Sequence, residues 1–220
     1  MSEYFYSNDT GDAQIKIYSL FPGIEVAYIQ AHTEELDFSC IDRKYKDNYV
    51  GIHFCREGRI EQEYDSEFFY MMPDDCWIAI QDKREKRFRL PLKHYHGISI
   101  GIDTDQIQTR FSDYLGNETL DPKKIAQRLC GKERSIILRS IEPLKHIFHE
   151  SYDIPEEYRE DYLKIKILEV LFMLNQQKSS EDFQKIYAIP RVKVELVKKV
   201  ADYIDKNLNN KVSFLLFLRK

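Results

Sequence analysis

Hydrophobic and polar residues alternate with period two through the first half of the chain and with period 3.6 through the second. Between residues 49 and 64, Val50, Ile52 and Phe54 alternate with Tyr49, Gly51, His53 and Cys55. After Arg56-Glu57-Gly58, Ile60, Gln62 and Tyr64 alternate with Arg59, Glu61 and Glu63. The pattern predicts a two-strand hairpin, with Gly58 in the left-handed position that closes a three-residue loop. The same period predicts strands over 14–20, 24–32, 67–72, 76–81, 86–90 and 94–103, punctuated by Pro22-Gly23 and Pro73-Asp74-Asp75. The polar first dozen residues are expected to fray, and residues 33–48 to form a charged loop. Many short strands with frequent turns predict an antiparallel sandwich or small barrel, because sheet edges must be paired or covered.

Near Asp103 the period changes. Helices are predicted over 105–114, with Ile107, Phe111 and Leu115 on one side, and over 122–129, opened by Asp121 as N-cap and Pro122. Further helices are predicted over 140–152, 155–177 and 191–208. Glu156 and Glu157 suit the positive end of the long helix. Its second half is apolar around most of the circumference and needs cover on more than one side. Tyr158, Tyr162, Ile165, Leu168 and Phe172 are the expected homodimer face; the intrachain alternative is burial under helix 140–152. Residues 177–182 read as a polar linker. The last helix turns Val194, Val197, Ala201, Ile204 and Leu208 to one side, and the hydrophobes of 211–220 show no clear period.

A chain of 220 residues with 43% hydrophobic content can bury a sizeable core. Residues 190–220 hold eight Lys/Arg against three Asp/Glu, a net of +5 in a chain of net charge −4. A basic end on an acidic body suits either nucleic-acid contact or a solvated amphipathic helix. No apolar run reaches membrane-spanning length and the N-terminus lacks a signal pattern, so a cytoplasmic protein with no membrane contact is expected. Cys40, Cys55, Cys76 and Cys130 have no metal-type spacing and are expected to be reduced thiols.

His94-Tyr95-His96 is the sharpest polar constellation. On a strand, His94 and His96 share one side with Ile98, Ile100 and Ile102. Three readings stand: a structural pair, polar lining of an organic-ligand pocket, or part of a metal centre completed by His53. Gln62, Tyr64 and Trp77 complete a candidate ligand-binding set of His53, Gln62, Tyr64, Trp77, His94 and His96, since pockets are mostly apolar with a few convergent polar groups. No phosphate loop, GxSxG or HExxH motif is present, so no catalytic residue and no cofactor or resident metal is assigned. His146 and His149 are expected to be solvated or capping.

The runs Phe21-Pro22-Gly23-Ile24, His53-Phe54-Cys55-Arg56-Glu57-Gly58-Arg59 and His94-Tyr95-His96-Gly97-Ile98-Ser99-Ile100 resemble the cupin-type sensor domain of AraC/XylS-type transcriptional regulators. Val197-Lys198-Lys199-Val200-Ala201-Asp202-Tyr203-Ile204, followed by Asn207-Leu208, resembles the first helix of that family's DNA-binding domain. The resemblance implies an α+β protein: a cupin-like jelly-roll β-sandwich or barrel over 1–103, then a helical half. That half comprises a dimerisation region over 104–177, a linker over 178–190 and the start of a helix-turn-helix domain over 191–220. It implies a non-enzymatic sensor that binds a small-molecule effector and dimerises. The family continues after this point with a Leu-x-x-Leu-Ala helix and a recognition helix, where this sequence has Phe214-Leu215-Leu216-Phe217-Leu218-Arg219-Lys220. The expectation is therefore a chain without most of the DNA-binding half, reaching DNA only through a complete helix-turn-helix domain. The alternative is a cupin-type metalloenzyme using His53, His94 and His96.

Overall fold

The alternating segments pair into antiparallel sheets in the computed structural model, which describes residues 1–37, 49–64, 67–81, 87–107, 120–133, 135–177 and 189–207. In chain order the elements are β1 (Ser2–Asn8), β2 (Gly11–Phe21), β3 (Ile24–His32), β4 (Glu35–Asp37), β5 (Tyr49–Gly58), β6 (Ile60–Tyr64) and β7 (Glu67–Met71). They continue with β8 (Cys76–Gln81), β9 (Arg87–Arg89), β10 (Tyr95–Asp103), α1 (Pro122–Cys130), β11 (Ser135–Leu138), α2 (Glu142–Glu150), α3 (Glu156–Gln176), β12 (Ile189–Pro190) and α4 (Arg191–Lys206). The chain divides into two bodies, residues 1–62 with 70–186, and residues 63–69 with 187–220. The class is α+β, as the sequence leads one to expect.

In the first body a seven-stranded sheet runs β1-β2-β3-β10-β5-β8-β11, and a second antiparallel sheet carries the first-body ends of β7 and β6, then β9 and β4, in that order. Because side chains alternate across a strand, the large sheet presents two apolar faces. Ala13, Ile15, Ile17, Ala27, Ile29, Ala31, Cys55 and Tyr95 pack with Leu36, Ile60, Met71 and Phe88 of the smaller sheet, forming the interior of the sandwich. The opposite face carries Ile24, Val26, Tyr28, Val50, Ile52, Phe54, Ile98, Ile100 and Ile102, and the helices cover it. Phe54 stacks on Phe148 of α2 at 4.7 Å. From α3, Leu163, Ile167, Val170 and Leu171 complete that layer.

Asp121 caps α1 as its sequence predicts, its carboxylate accepting from the amides of Lys123 at 2.9 Å and Lys124 at 3.2 Å. Arg128 on α1 donates to the carbonyls of Leu174 at 3.3 Å and Asn175 at 3.0 Å, satisfying the exposed carbonyl end of α3. At the other end of α3, the Tyr18 hydroxyl donates to Glu156 at 2.5 Å, and Arg159 donates to the Ile154 carbonyl at 2.8 Å. Lys166 is the one charged residue on the buried side of α3, and its ammonium is met by Glu150 at 2.5 Å and Glu169 at 2.8 Å.

Three expectations are corrected. The stretch 49–64 is not a hairpin: β5 pairs with β10 and β8 in the large sheet, while β6 lies in the other sheet. Gly58 does take φ +85°, but it makes the corner by which the chain changes sheets, and a Cβ there would overlap the His94 carbonyl oxygen. The N-terminal residues do not fray; Ser2 to Asn8 pair with β2 from Ser2↔Ile17 to Asn8↔Gly11. Residues 135–138, unassigned in the sequence, form β11 on the edge beside β8. The predicted helix 105–114 and the tail beyond Asn207 lie largely or wholly outside the described residues, as does most of the loop 33–48.

In the second body, Ile189 and Pro190 pair with Phe68 and Glu67, and α4 follows directly. Val194 is buried, whereas Val197, Ala201 and Ile204 on the predicted apolar side are exposed.

Candidate functional sites on the two faces of the large sheet

The sequence-predicted site residues are divided between the faces of one sheet. His53 pairs in register with Ser99 of β10 and Trp77 of β8. All three belong to the sandwich interior. His53 Nδ1 lies 2.8 Å from Ser99 Oγ, and the ring lies against Trp77 at 5.0 Å. Trp77 in turn meets Phe88 edge-on at 6.1 Å. Burial pushes the His53 imidazole down to about 4, because charging it there forfeits solvation. His53 Nε2 is covered and has no hydrogen-bond partner.

Tyr95 lies on the same interior face, buried, and its hydroxyl is also without a partner. The ring folds back over Gly97, where any Cβ would overlap the phenol oxygen. Glycine after His96 is therefore a requirement of the Tyr95 rotamer. Gln62 is half-buried on β6, beside Ile60 and Glu61. Tyr64 ends that strand, and its side chain lies outside the described residues.

His94 and His96 share the face of Ile98, Ile100 and Ile102, as the alternation predicts. That face is covered by helices over the isoleucines and left open at the start of β10. His53 does not converge with the pair, so the three histidines of the metalloenzyme reading are not brought together. His32 is brought there instead. The β3–β10 register pairs His96 with Gln30 and Tyr95 with Ala31, which sets His32 at the strand end beside His94. His94 Nδ1 lies 3.4 Å from His32 Nδ1, and His96 Nε2 lies 3.4 Å from His32 Nε2. One nitrogen from each of His32, His94 and His96 falls within 4.8 Å of the others.

Glu57 closes the cluster through a bulge. Gly97 pairs with Cys55, yet His96 pairs with Glu57, so Arg56 is an extra residue in β5. Uninterrupted alternation would send Glu57 to the interior with Cys55; the bulge rolls it onto the histidine face. Its Oε2 lies 3.2 Å from His94 Nε2 and 3.5 Å from His96 Nδ1, while Oε1 lies 3.4 Å from Arg56 Nε. Arg56 is itself held over the Tyr152 ring at 4.2 Å. The His96 imidazole is shifted down from its ordinary value by burial first and by neighbouring His94 second, with Glu57 opposing.

His146 and His149 each meet a separate carboxylate, Glu150 at 2.9 Å and Asp74 at 2.8 Å. Cys55, Cys76 and Cys130 are free, buried thiols pushed up to about 12 by burial, which keeps them protonated and unreactive; Cys40 lies outside the described residues. Of the expected dimer residues, Tyr158, Ile165 and Phe172 are 62%, 61% and 40% exposed. Tyr162 is half-buried with its hydroxyl 3.4 Å from Glu150, and Leu168 packs partly on the core.

No family model and no curated protein matches the sequence. Among solved structures, the AraC-like transcriptional activator CuxR is similar over 95% of this chain and 72% of its own, at 14% identity and a TM-score of 0.43. ToxT from Vibrio cholerae is similar over 92% of this chain and 68% of its own, at 10% identity and a TM-score of 0.39. The Cupin_2 domain of an XRE family transcriptional regulator from Enterobacter cloacae is similar over 41% of this chain and 94% of its own, at 12% identity and a TM-score of 0.32. No described helix is long and apolar enough to cross a membrane.

Proposed function

We propose that this chain is the effector-sensing and dimerisation portion of a transcriptional regulator of AraC type. The observation that carries the reading is a pair of polar atoms, His53 Nε2 and Tyr95 Oη, buried on the interior face of the sandwich without partners. An unmade buried hydrogen bond costs about 1–3 kcal/mol. A small organic effector lying against Trp77, 5.0 Å from the His53 ring, would give the imidazole nitrogen a partner. His53 is neutral at physiological pH and so presents a hydrogen-bonding group rather than a charge.

The dimer part rests on the outer side of α3. Tyr158, Ile165 and Phe172 are spaced by seven residues and exposed, the seam along which two helices pair with their apolar residues every 3.5. A second copy of this chain is the partner that such a stripe suits, since the same helix supplies both halves of a two-fold contact. The basic amphipathic α4 is the element through which DNA would be approached.

Analytical ultracentrifugation of the full chain tests the dimer: a dimer at tens of micromolar and a monomer for Ile165→Glu are expected. A wild-type monomer removes that part. A thermal-shift screen of small organic acids, sugars and amphipathic amides tests the sensor. At least one class is expected to raise the melting temperature of the wild type and to lose its effect in His53→Ala. Equal shifts in both proteins contradict an interior site at His53.

A further inference from the structure

We propose that His32, His94 and His96 form a binding site for a divalent cation of the imidazole-preferring class, zinc foremost. The site lies on the open end of the outer face, with Glu57 holding the imidazoles of His94 and His96 from behind. It is separate from the interior recognition site, which lies through the sheet, and it does not depend on the reading of the chain as a regulator.

The spacing of the three rings approaches that of a zinc ligand set. Zinc–imidazole bonds of about 2.0–2.1 Å in a tetrahedral site set neighbouring ligand nitrogens about 3.3–3.4 Å apart. His94 Nδ1 lies 3.4 Å from His32 Nδ1 and His96 Nε2 lies 3.4 Å from His32 Nε2, and one nitrogen from each ring falls within 4.8 Å of the others, so a modest turn of the His32 ring brings a single nitrogen to both. Those are also the nitrogens left over once Glu57 has been counted. Its Oε2 faces His94 Nε2 and His96 Nδ1, so in the neutral rings the protons belong on that side and the lone pairs point toward His32. A carboxylate behind the ligating imidazole is the usual device that fixes its tautomer and raises its basicity. His32 is exposed, with its ring 5.2 Å from both other imidazoles, and one of its nitrogens completes the set.

The scaffold supports the same conclusion. His32 and His96 come from two paired strands in the middle of the large sheet, and His94 directly precedes the second of them, which places the cluster more firmly than loops alone would. The bulge at Arg56 serves the cluster directly, because without it Glu57 would face the interior. The donor set decides the ion. Three nitrogens suit zinc, nickel or copper, whereas magnesium and calcium demand oxygen ligands. The fourth position faces solvent and is open to water or to a donor from another molecule. A bound ion would tie the ends of β3 and β10 together beside the corner at Gly58.

Isothermal titration of the EDTA-stripped full chain with zinc chloride tests the site, with cobalt(II) as a spectroscopic substitute. One equivalent of zinc is expected, and cobalt is expected to give the intense visible bands of a four-coordinate site. Glu57→Gln lowers zinc affinity about 10- to 100-fold. His94→Ala and His96→Ala lower it further and abolish the cobalt bands, and His146→Ala leaves both unchanged. His32→Ala, at an exposed position where the fold is not at stake, must also lose the bands; its unaltered metal-free melting curve shows that folding is intact. No zinc uptake by the wild type at 100 micromolar, or unchanged uptake in His32→Ala and His96→Ala, overturns the proposal. Wild-type affinity in Glu57→Gln alongside losses in the histidine variants overturns the role given to Glu57.

Discussion

His53 and His96 stand on adjacent strands of one sheet, yet their surroundings share almost nothing. His53 points into the sandwich, bonded to Ser99, flat against Trp77 and held neutral by burial. His96 points the other way, beyond the last helix-covered isoleucine, among two more imidazoles and a carboxylate. The difference is one of strand parity. A step of one residue exchanges a sealed, uncharged imidazole for an open cluster of three. The bulge in β5 uses the same rule in reverse, moving Glu57 to the face where the histidines are.

The comparison can be broken most forcefully where the outer face is sealed. Phe54→Ala removes a fully buried ring stacked on Phe148 and is expected to cost about 3–5 kcal/mol in urea unfolding. An effect below about 1 kcal/mol would mean that the helices do not cover this face as described.

The next effect is electrostatic and belongs to the interior. His53 is held at about 4 when folded against 6.5 in its ordinary state. Between these values the unfolded chain binds a proton that the folded chain refuses, so stability rises with pH across the window. The His53 contribution is thus intact above about pH 6.5 and falls by on the order of 3 kcal/mol as the pH drops to 4. Subtracting the stability profile of His53→Gln from that of the wild type isolates this slope. A flat difference across the window would place His53 in contact with water.

At the open end the effects on folding should be small. His32→Ala is expected to change metal-free stability by no more than about 0.5 kcal/mol, since it removes no buried contact. A large loss would make the cluster part of the core and not a site.

Much of this contrast is legible in the sequence. The alternation placed His94 and His96 with Ile98, Ile100 and Ile102, and the capping of α1 and the span of α3 follow from Asp121, Pro122 and the acidic first turn. A positive-φ glycine such as Gly58 serves a tight turn and a sheet-changing corner equally, so the local pattern of 49–64 suits a hairpin as well as the corner found. Only the distant partners β10, β8 and β9 distinguish the two, and local pattern carries no information about them. Strand β1 was missed because an edge strand can be stabilised by pairing alone, with almost no buried side chain to announce it; Tyr4, Phe5 and Tyr6 were the available signal. In β11, Ile136, Ile137 and Leu138 are all buried, so no alternation marks the strand. His32 was legible only as the end of a strand, and the β3–β10 register that sets it beside His94 is tertiary. Glu57 needed the bulge, which no local motif around Arg56 announces.

The most direct test of the two-face account is a zinc titration of the stripped full chain at neutral pH, read on the imidazole nitrogens by nuclear magnetic resonance. The account predicts that the rings of His32, His94 and His96 shift together up to one equivalent while His53 stays in place. Movement of His53 together with His94 and His96, leaving His32 unchanged, would contradict it.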